Sequence, residues 1–296
     1  MNPEQKCGYV AIIGRPNVGK STLLNCLVGQ KISITTPKPQ TTRCQILGIK
    51  TIGDTQAVYI DTPGIHNAEK RAMNRYMNRL ANSVMIDADV VVFVVEAMHW
   101  KEDDELVLEK LKHTESPVIL AINKVDLIKD KSKLLPFIQK LEQKYNFAQI
   151  VPFSAKSAEN VEALEKIIVG MLPEGPHLFP DDQLTDKGER FQAAEIIREK
   201  LIQATEQEIP YSTTVEVEEF KIEKNIVHIS AIIWVERDGQ KAIVIGKGGA
   251  LLKKIGTQAR KDLEKLLDQK VFLRLWVKVK SDWTDNEKVL HNLGFE

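Results

Sequence analysis

The residues GRPNVGKST, from Gly14 to Thr22, follow the apolar run YVAII and precede a stretch with helical spacing. They match the pattern G-x-x-x-x-G-K-[ST], in which a loop free of bulky side chains lets successive main-chain N–H groups converge on phosphate oxygens. A helix that begins there points its positive end at the same anion. The loop therefore predicts an α/β fold with a phosphate site at the end of a strand.

Up to about Met171, short segments rich in Val and Ile alternate with helical segments. This alternation predicts parallel strands with helical crossovers, and hence a doubly wound α/β sheet. The predicted strands are YVAIIG, AVYIDTPG, DVVVFVVEA, PVILAINKVD and IVPFSAK, and the predicted helices include Lys20 to Val28 and Glu102 to Lys112.

Three prolines in LPEGPHLFPDDQLTD predict an interdomain linker. Beyond it we expect a helix over Glu189 to Gln207, a hairpin around Lys224-Asn225, a short helix, a Gly-rich turn, an amphipathic helix and a strand. This α-β-β-α-α-β order is an α+β module. The predicted division is a first domain over 1–172, a linker over 173–187, a second domain over 188–281 and a tail over 282–296.

Charge is distributed unevenly along the chain, although the formal net charge is zero. Residues 241–280 hold 11 Lys and Arg but only three Asp and Glu. This predicts either an anionic partner or one heavily solvated helix. The three cysteines form no CxxC pair, and the start of the chain lacks a signal-peptide layout, so we expect no zinc site and a cytoplasmic location.

The phosphate loop supplies the first set of candidate binding residues. Lys20 is expected to reach the β- and γ-phosphates, and the Ser21 hydroxyl to bind Mg²⁺. The predicted contacts are Gly14, Arg15, Pro16, Asn17, Val18, Gly19, Lys20, Ser21 and Thr22.

Three further motifs select the nucleotide. They are DTPG (Asp61, Thr62, Pro63 and Gly64), NKVD (with Asn123, Lys124 and Asp126) and SAK (Ser154, Ala155 and Lys156). Asp61 is placed to hold Mg²⁺ through water, and the Gly64 N–H to meet the γ-phosphate. Asp126 can accept the ring N–H and the exocyclic amine of guanine, the stem of Lys124 can cover the base, and the Ala155 N–H could bond the guanine carbonyl. The order of the motifs predicts guanine nucleotide binding.

The segment TTPKPQTTRCQ is expected to be a loop that is ordered only when GTP is bound. Thr42, or else Thr41, would bind Mg²⁺ and the γ-phosphate. The candidate catalytic residues are Lys20, Thr42 and Gly64. Ile65 stands where Ras-like GTPases carry a water-positioning glutamine, so unaided hydrolysis should be slow. Arg43 is considered as a transition-state cation but is expected to be a solvated loop residue.

Together GRPNVGKSTLLN, PQTTR, DTPG, NKVD and SAK resemble the motifs of translation-factor-class GTPases, and specifically of the bacterial Era family. VIGKGG in the second half is similar to the GxxG loop of a KH domain, and the element order resembles the type II KH arrangement. The resemblance implies a P-loop GTPase domain followed by an α+β type II KH domain that binds single-stranded RNA. It also implies action in 16S rRNA maturation and 30S ribosomal subunit assembly, with the groove on the 3′ region of 16S rRNA. Peripheral contact with the inner membrane and a monomeric state are further expectations.

A GxxG turn between two helices lets the backbone approach a sugar-phosphate chain, and KH domains clamp about four nucleotides there. The candidate RNA-binding residues are Ile243, Ile245, Gly246, Lys247, Gly248, Gly249, Lys253, Lys254 and Arg260. Trp234 and Trp276 lie in predicted strands and are expected in the core, whereas the sequence leaves Trp283 undecided.

Two questions stay open at this level. Asn17 resembles the phosphate-loop asparagine of GTPases in which a K⁺ ion supplies positive charge, but it is equally compatible with a simple turn. For the whole chain, a small-molecule kinase and an RNA-binding protein with purely structural GTP are the alternatives to a GTP-driven switch. NKVD and SAK disfavour the kinase, and the absence of a recognisable modifying domain disfavours a tRNA-modifying GTPase.

Overall fold

A computed structural model describes residues 5–65, 71–206 and 209–293 of the chain. The described residues up to 65 and those from 74 to 186 form a first unit, whereas residues 71–73 and those from 187 onwards form a second. Among the residues that the structure describes, no helix combines the length and the apolar character that crossing a bilayer requires.

The first unit contains a six-stranded sheet in the order β2-β3-β1-β4-β5-β6. The strands are β1 (Lys6–Ile13), β2 (Ile46–Ile52), β3 (Thr55–Asp61), β4 (Val90–Glu96), β5 (Val118–Asn123) and β6 (Gln149–Pro152). The helices are α1 (Lys20–Val28), α2 (Ala72–Asp87), α3 (Glu102–Leu111), α4 (Leu134–Glu142) and α5 (Val161–Met171). The strand order reverses at β1, so the crevice at its carboxyl end is where ligands of such sheets bind. The predicted doubly wound sheet is confirmed.

One strand was not expected from the sequence. β2 pairs antiparallel with β3, whereas the other neighbouring strands of the sheet are parallel. Only Gly53 and Asp54 separate the two strands, and Gly53 has φ 58°. Because a two-residue turn reverses the chain at once, it can join only antiparallel strands. The glycine-containing dipeptide between two apolar runs was the available signal.

The proline-rich segment after α5 lies along the β2–β3 side of the first unit. Gln56 holds it at two points: its Oε1 accepts from the N–H groups of Leu178 and Phe179, and its Nε2 donates to the Phe179 carbonyl. Ile49 donates its N–H to the Leu184 carbonyl at 2.9 Å. The Ile49 bond satisfies a main-chain group on the outer side of the edge strand β2, and the Gln56 bonds satisfy main-chain groups of the proline-rich segment. Most of the expected linker therefore packs as part of the first unit.

The second unit has the predicted order α-β-β-α-α-β, followed by a terminal helix. The elements are α6 (Glu189–Ala204), β7 (Thr213–Glu223), β8 (Ile226–Val235), α7 (Asp238–Ile245), α8 (Ala250–Leu267), β9 (Lys270–Val279) and α9 (Glu287–Asn292). The sheet order is β7-β8-β9, with β7 and β8 antiparallel and β8 and β9 parallel. The expected end of the first helix at Gln207 lies outside the described residues.

The tryptophans of this unit differ from the expectation. Trp276 is 42% exposed, and Trp234 is half-buried on the same side of the sheet, so the expectation that both lie in the core is wrong. Alternation along a strand sends both side chains to the face opposite the helices. Trp283 is fully buried, and its Nε1 donates to the Ser212 carbonyl at 3.1 Å.

Candidate functional site

The phosphate loop connects the end of β1 to the start of α1, as the sequence predicts. Gly14 has φ 148° and Gly19 φ 103°. A Cβ at Gly14 would lie 2.3 Å from the Val94 carbonyl oxygen, and one at Gly19 would lie 2.2 Å from Asn123 Nδ2. Both glycines are therefore required by close packing against neighbouring strand ends as well as by backbone conformation.

Lys20 is buried beneath the loop. Its Nζ donates to the Gly14 and Arg15 carbonyl oxygens, both at 3.0 Å. Burial lowers the pKa of Lys20 to about 8, although the nearby Asp61 carboxylate opposes this. The ammonium thus sits at the loop that would hold the phosphates, with its charge only partly compensated by the protein.

Four oxygen-bearing side chains converge beside Lys20. Ser21 Oγ donates to Asp61 Oδ2 at 2.6 Å, and Thr42 Oγ1 lies 2.8 Å from Ser21 Oγ. Ser33 Oγ donates to the same Asp61 oxygen at 3.0 Å. Ser33 was not predicted, because it lies before the loop motif and carries no spacing signal of its own.

The second carboxylate oxygen of this cluster, Asp61 Oδ1, is buried and has no hydrogen-bond partner. Burial raises the pKa of Asp61, and the hydrogen bonds from Ser21, Ser33 and Thr42 and the charge of Lys20 only partly offset it. A hydroxyl pair beside an under-compensated carboxylate is the all-oxygen donor set that Mg²⁺ prefers. The residues present therefore fit Mg²⁺. The roles of Ser21 and Thr42 as direct ligands, and of Asp61 through water, stay predictions.

The loop over residues 35–42 is tied to the phosphate loop. Asn17, with φ 65°, donates from Nδ2 to the Pro37 carbonyl at 2.9 Å. Thr41 Oγ1 donates to the Lys38 carbonyl within the loop itself, so Thr42 and not Thr41 faces the oxygen cluster. Arg43 is only 3% exposed, and the expectation that it is a solvated residue is wrong.

The DTPG segment packs against the phosphate loop. A Cβ at Gly64 would lie 2.6 Å from the Pro16 nitrogen, so only glycine fits there. Thr62 is buried and donates from Oγ1 to the Ile12 carbonyl, which makes its role structural. Ile65 is fully buried in the hydrophobic core and cannot orient an attacking water.

Asn123 connects the predicted base-binding motifs to the phosphate loop. Its Nδ2 donates to the Val18 carbonyl at 2.7 Å, and its Oδ1 accepts from the N–H groups of Lys124 and Ala155. The Ala155 N–H, expected to bond guanine, thus already has an acceptor at 3.0 Å. The contact of Ala155 with the base stays a prediction.

The remaining base-site residues are placed as follows. Asp126 is exposed, and Lys124 is partly buried with φ 69°. Ser154 is buried and its Oγ accepts from the Ser157 N–H, whereas Lys156 is exposed. The roles of these residues in nucleotide contact stay predictions.

A buried ion-pair network that the sequence analysis missed lies behind the site. Arg15 Nε donates to Asp104 Oδ2 and its second guanidinium nitrogen to Glu96 Oε2, both at 3.0 Å. The same Glu96 oxygen lies 3.1 Å from Lys124 Nζ. The Arg15 side chain is therefore held away from the phosphates, and only its main chain is available to them. A charged residue at the end of the otherwise apolar strand β4 was the signal that could have identified Glu96.

A cavity of about 320 Å³ lies between the phosphate loop and the loop over residues 35–42, and Lys124 is the predicted base-site residue that reaches its lining. Its lining includes Pro16, Asn17, Gly19, Lys20, Ser21, Thr22, Thr41, Thr42, Gly64 and Lys124. The other predicted nucleotide-binding residues lie outside this lining: Gly14, Arg15, Val18, Asp61, Thr62, Pro63, Asn123, Asp126, Ser154, Ala155 and Lys156.

The second unit presents a groove of about 380 Å³ between α8 and β9. It is lined by Gly249, Leu252, Lys253, Gly256, Thr257, Arg260, Leu273 and Leu275. The GxxG turn before it has positive φ at Gly246, Gly248 and Gly249. An apolar floor with a cationic rim suits unpaired bases and their phosphates.

Not every predicted RNA contact lines this groove. Lys247, Gly248 and Lys254 are exposed next to it, and Gly246 is held by tight packing, since a Cβ there would lie 2.8 Å from Leu251 Cβ. Ile243 and Ile245 lie on the other side of the GxxG turn, in α7, and do not line the groove. The two leucines of β9 form the wall instead, and the GxxG pattern did not identify them because they lie on the following strand and not in the turn.

Comparison with known families matches both halves of the chain. Residues 9–124 match the family described as 50S ribosome-binding GTPase, and residues 208–284 match the KH domain family.

Close relatives extend over nearly the whole chain. GTPase Era of Haemophilus influenzae (strain PittGG) is 58% identical over 290 residues, covering 98% of this chain and 96% of the relative. GTPase Era of Marinobacter nauticus is 56% identical over 293 residues, covering 99% and 96%. A crystal structure of Era in complex with MgGDPNP and nucleotides 1506–1542 of 16S ribosomal RNA has 42% identity and a TM-score of 0.96, covering 99% of each chain. With this identity, coverage and pair of domains, the chain belongs to the Era family of GTPases, enzymes that bind and hydrolyse GTP.

Proposed function

We propose that the chain is a GTP-controlled switch that acts on the 3′ region of 16S rRNA during assembly of the 30S ribosomal subunit. The observation that carries the proposal is the contact of Thr42 with Ser21 and Asp61. It ties a loop between α1 and β2 to the oxygen cluster beside the phosphate loop, so the bound nucleotide can control that loop. The Era relative crystallised with MgGDPNP and a 16S rRNA fragment supports the choice of RNA.

Positioning and electrostatics supply the chemistry. Lys20 and the main-chain N–H groups of the loop would hold the phosphates in line with an attacking water, and the Gly64 N–H would meet the γ-phosphate. Ser21 and Thr42, with Asp61 acting through a water, would hold Mg²⁺, which would neutralise charge on the phosphates. Hydrolysis is slow without help, because Ile65 is apolar and buried and Arg15 is paired with carboxylates.

A K⁺ ion next to Asn17 is proposed as a source of the missing positive charge. The position of Asn17 in the loop supports this, and its Oδ1 is the atom that would bind the ion. GTP hydrolysis should then be faster in KCl than in NaCl, and Asn17→Ala should remove the difference. Equal rates in the two salts contradict the proposal, and leave Asn17 as the turn residue that its φ of 65° also fits.

RNA crosslinking in cells tests the ribosomal assignment. Fragments from the 3′ region of 16S rRNA should dominate and should decrease with Lys20→Ala, which removes the cation at the phosphate site. A pattern dominated by mRNA or tRNA would overturn it. Equal RNA affinity of the GTP-bound and GDP-bound protein would instead indicate an RNA-binding protein in which GTP is structural.

A cytoplasmic location, a monomeric state and a weak peripheral contact with the inner membrane complete the proposal. None of the three cysteines belongs to a CxxC pair, and this supports a reducing compartment. Cell fractionation and analytical ultracentrifugation test these points, and a stable dimer or a tightly membrane-bound protein would contradict them.

A further inference from the structure

The three-stranded sheet of the second unit has an aromatic and basic surface on the side away from its helices. This surface, called the outer face below, consists of Phe272, Arg274, Trp276 and Lys278 of β9 with His228 and Trp234 of β8. Along β9 these four exposed residues alternate with Val271, Leu273, Leu275 and Val277, which face the helices. The groove and the outer face are therefore the two sides of one edge strand.

Phe272, 48% exposed, and Trp276, 42% exposed, are the two most exposed aromatic residues in the part of the chain that the structure describes. Four residues of strand separate them by about 13 Å, far more than the ~3.4 Å rise between stacked bases in a duplex. Two exposed rings at this distance suit bases that are splayed apart, as in single-stranded RNA.

Cations lie close to these rings. The Arg274 guanidinium lies 5.3 Å from the centre of the Phe272 ring, and the Lys278 and Lys280 ammonium groups lie 5.8 and 5.3 Å from the Trp234 ring. His228 stacks at a tilt on Phe272, with 5.4 Å between ring centres. Aromatic rings that alternate with cations match the bases and phosphates of a nucleic acid strand.

The acidic groups of this sheet lie on the opposite strand, β7. Glu216 accepts a hydrogen bond from Trp234 Nε1 at 2.7 Å, Glu218 lies 3.6 Å from Lys278 Nζ, and Glu219 pairs with Lys221. A polyanion is therefore favoured along β9 and disfavoured towards β7. The charge pattern therefore indicates both the class of ligand, a polyanion, and its path along β9.

We infer that the outer face is a second RNA-binding surface, which holds single-stranded nucleotides that continue from the groove around the free edge of β9. This rests on the proposed function, because the groove must hold RNA first. Leu273 and Leu275 line the groove, whereas Phe272, Arg274 and Trp276 lie on the other side of the same strand. RNA that leaves the groove needs to cross only one strand to reach the exposed rings.

An RNA length series tests the inference. The probes are two unstructured RNAs from the 3′ end of 16S rRNA, one of about five nucleotides and one of about 15, since a GxxG groove clamps about four. Trp276→Leu should weaken binding of the long RNA about tenfold, the size of one lost base stack. It should leave the affinity for the short RNA unchanged, and Trp276→Tyr should restore long-RNA binding because it keeps a stacking ring.

The control is Ile222→Ala, which trims an exposed apolar side chain on β7, away from β9, and should change neither affinity. Tryptophan fluorescence gives a second readout. The long RNA, and not the short one, should quench the part of the emission that comes from Trp276 and is missing in Trp276→Leu.

The outcomes separate this inference from the proposed function. If the wild-type protein binds the long RNA but not the short one, the groove proposal fails, and the continuation of RNA from the groove fails with it. The Trp276 variants then show only whether the outer face itself binds RNA. If Trp276→Leu binds both RNAs as the wild type does, the inference is overturned. It is also overturned if that substitution instead dissociates a dimer or abolishes binding to vesicles of anionic phospholipid while RNA affinity stays the same.

Discussion

At the scale of single residues, the phosphate site depends on a lysine, Lys20, that the fold buries away from solvent. Lys20 donates two hydrogen bonds to carbonyl oxygens, which are weaker partners for a cation than a carboxylate or a phosphate. The nucleotide would supply the stronger partner. Binding therefore relieves an electrostatic cost that the free protein carries.

The pH dependence of nucleotide affinity follows from this cost. The pKa of Lys20 in the free folded protein is about 8, below its ordinary value of 10.5. The phosphates bind the charged form of the lysine, so we expect the affinity for GDP to decrease above pH 8. The decrease should approach tenfold for each pH unit. Titration with a fluorescent GDP analogue between about pH 7 and pH 9 measures this. Lys112→Met, which alters an exposed lysine, should keep the same profile, and a flat profile for both proteins would contradict the assignment.

The stability of the nucleotide-free protein should change in the opposite direction. Between pH 8 and 10.5, the folded state binds fewer protons at Lys20 than the unfolded state does. The contribution of Lys20 to the free energy of unfolding therefore rises with pH across this interval. Urea unfolding with and without Lys20→Met isolates that contribution.

Glu96 is a positioning residue, because one of its oxygens serves both Arg15 and Lys124. Burial raises the pKa of Glu96, but hydrogen bonds and charge from Lys124 and Arg15 outweigh it and lower the pKa. We expect Glu96→Gln to raise KM for GTP about tenfold with little change in kcat, because Lys124 loses its charged anchor.

Steady-state GTP hydrolysis measures this separation of KM from kcat. Glu109→Gln is the matched control, since Glu109 pairs with Lys112 on the exposed side of α3 and such pairs contribute little. A fall in kcat at unchanged KM would show that Glu96 acts on the reaction and not on positioning.

At the scale of elements, two helical glycines have different reasons to be glycine. A Cβ at Gly170 in α5 would meet nothing within 4 Å, whereas one at Gly256 in α8 would lie 3.3 Å from Leu275 Cδ1. Gly256 thus lets α8 approach the strand that forms the groove wall, and Gly170 has no such constraint.

Alanine at the two positions should give different results. Gly170→Ala should raise the free energy of unfolding by about 0.5–1 kcal/mol and leave RNA affinity unchanged. Gly256→Ala gains the same helix propensity but pushes Leu275 into the groove, so RNA affinity should decrease. Chemical denaturation and RNA titration of both variants check this pair. Equal RNA affinities would show that Leu275 does not wall the binding site.

At the scale of the whole molecule, zero net charge conceals a strongly basic segment at residues 241–280. Its side chains include two cations that line the groove, Lys253 and Arg260. RNA binding should accordingly weaken with salt. A plot of the logarithm of the binding constant against the logarithm of the salt concentration should have a slope of about −0.7 for each phosphate contacted.

The Lys253→Ala variant should reduce the magnitude of that slope by about 0.7, one phosphate contact. Lys166→Ala, which removes an exposed lysine of the first unit, should leave the slope unchanged. Titrations over a range of KCl concentrations measure it, and affinity independent of salt would contradict binding through phosphates.

The amino-acid sequence by itself determined both domain types, the order of elements in the second unit and the positions of the motifs from Gly14 to Lys156, but not strand β2 of the first unit. Apolar periodicity, glycine-dependent turns and short motifs depend on neighbours in the chain, so they can be recognised without a structure. The same local rules explain why the helix boundaries at Lys20–Val28 agree with the expectation.

Only the tertiary structure decided which distant residues meet. The pairing of Arg15 with Glu96 and Asp104, the packing of the proline-rich segment on the first unit and the outward side of Trp276 all join segments far apart in the chain. Each depends on strand register and on the free energy of burying particular surfaces together, which residue type and local spacing do not specify.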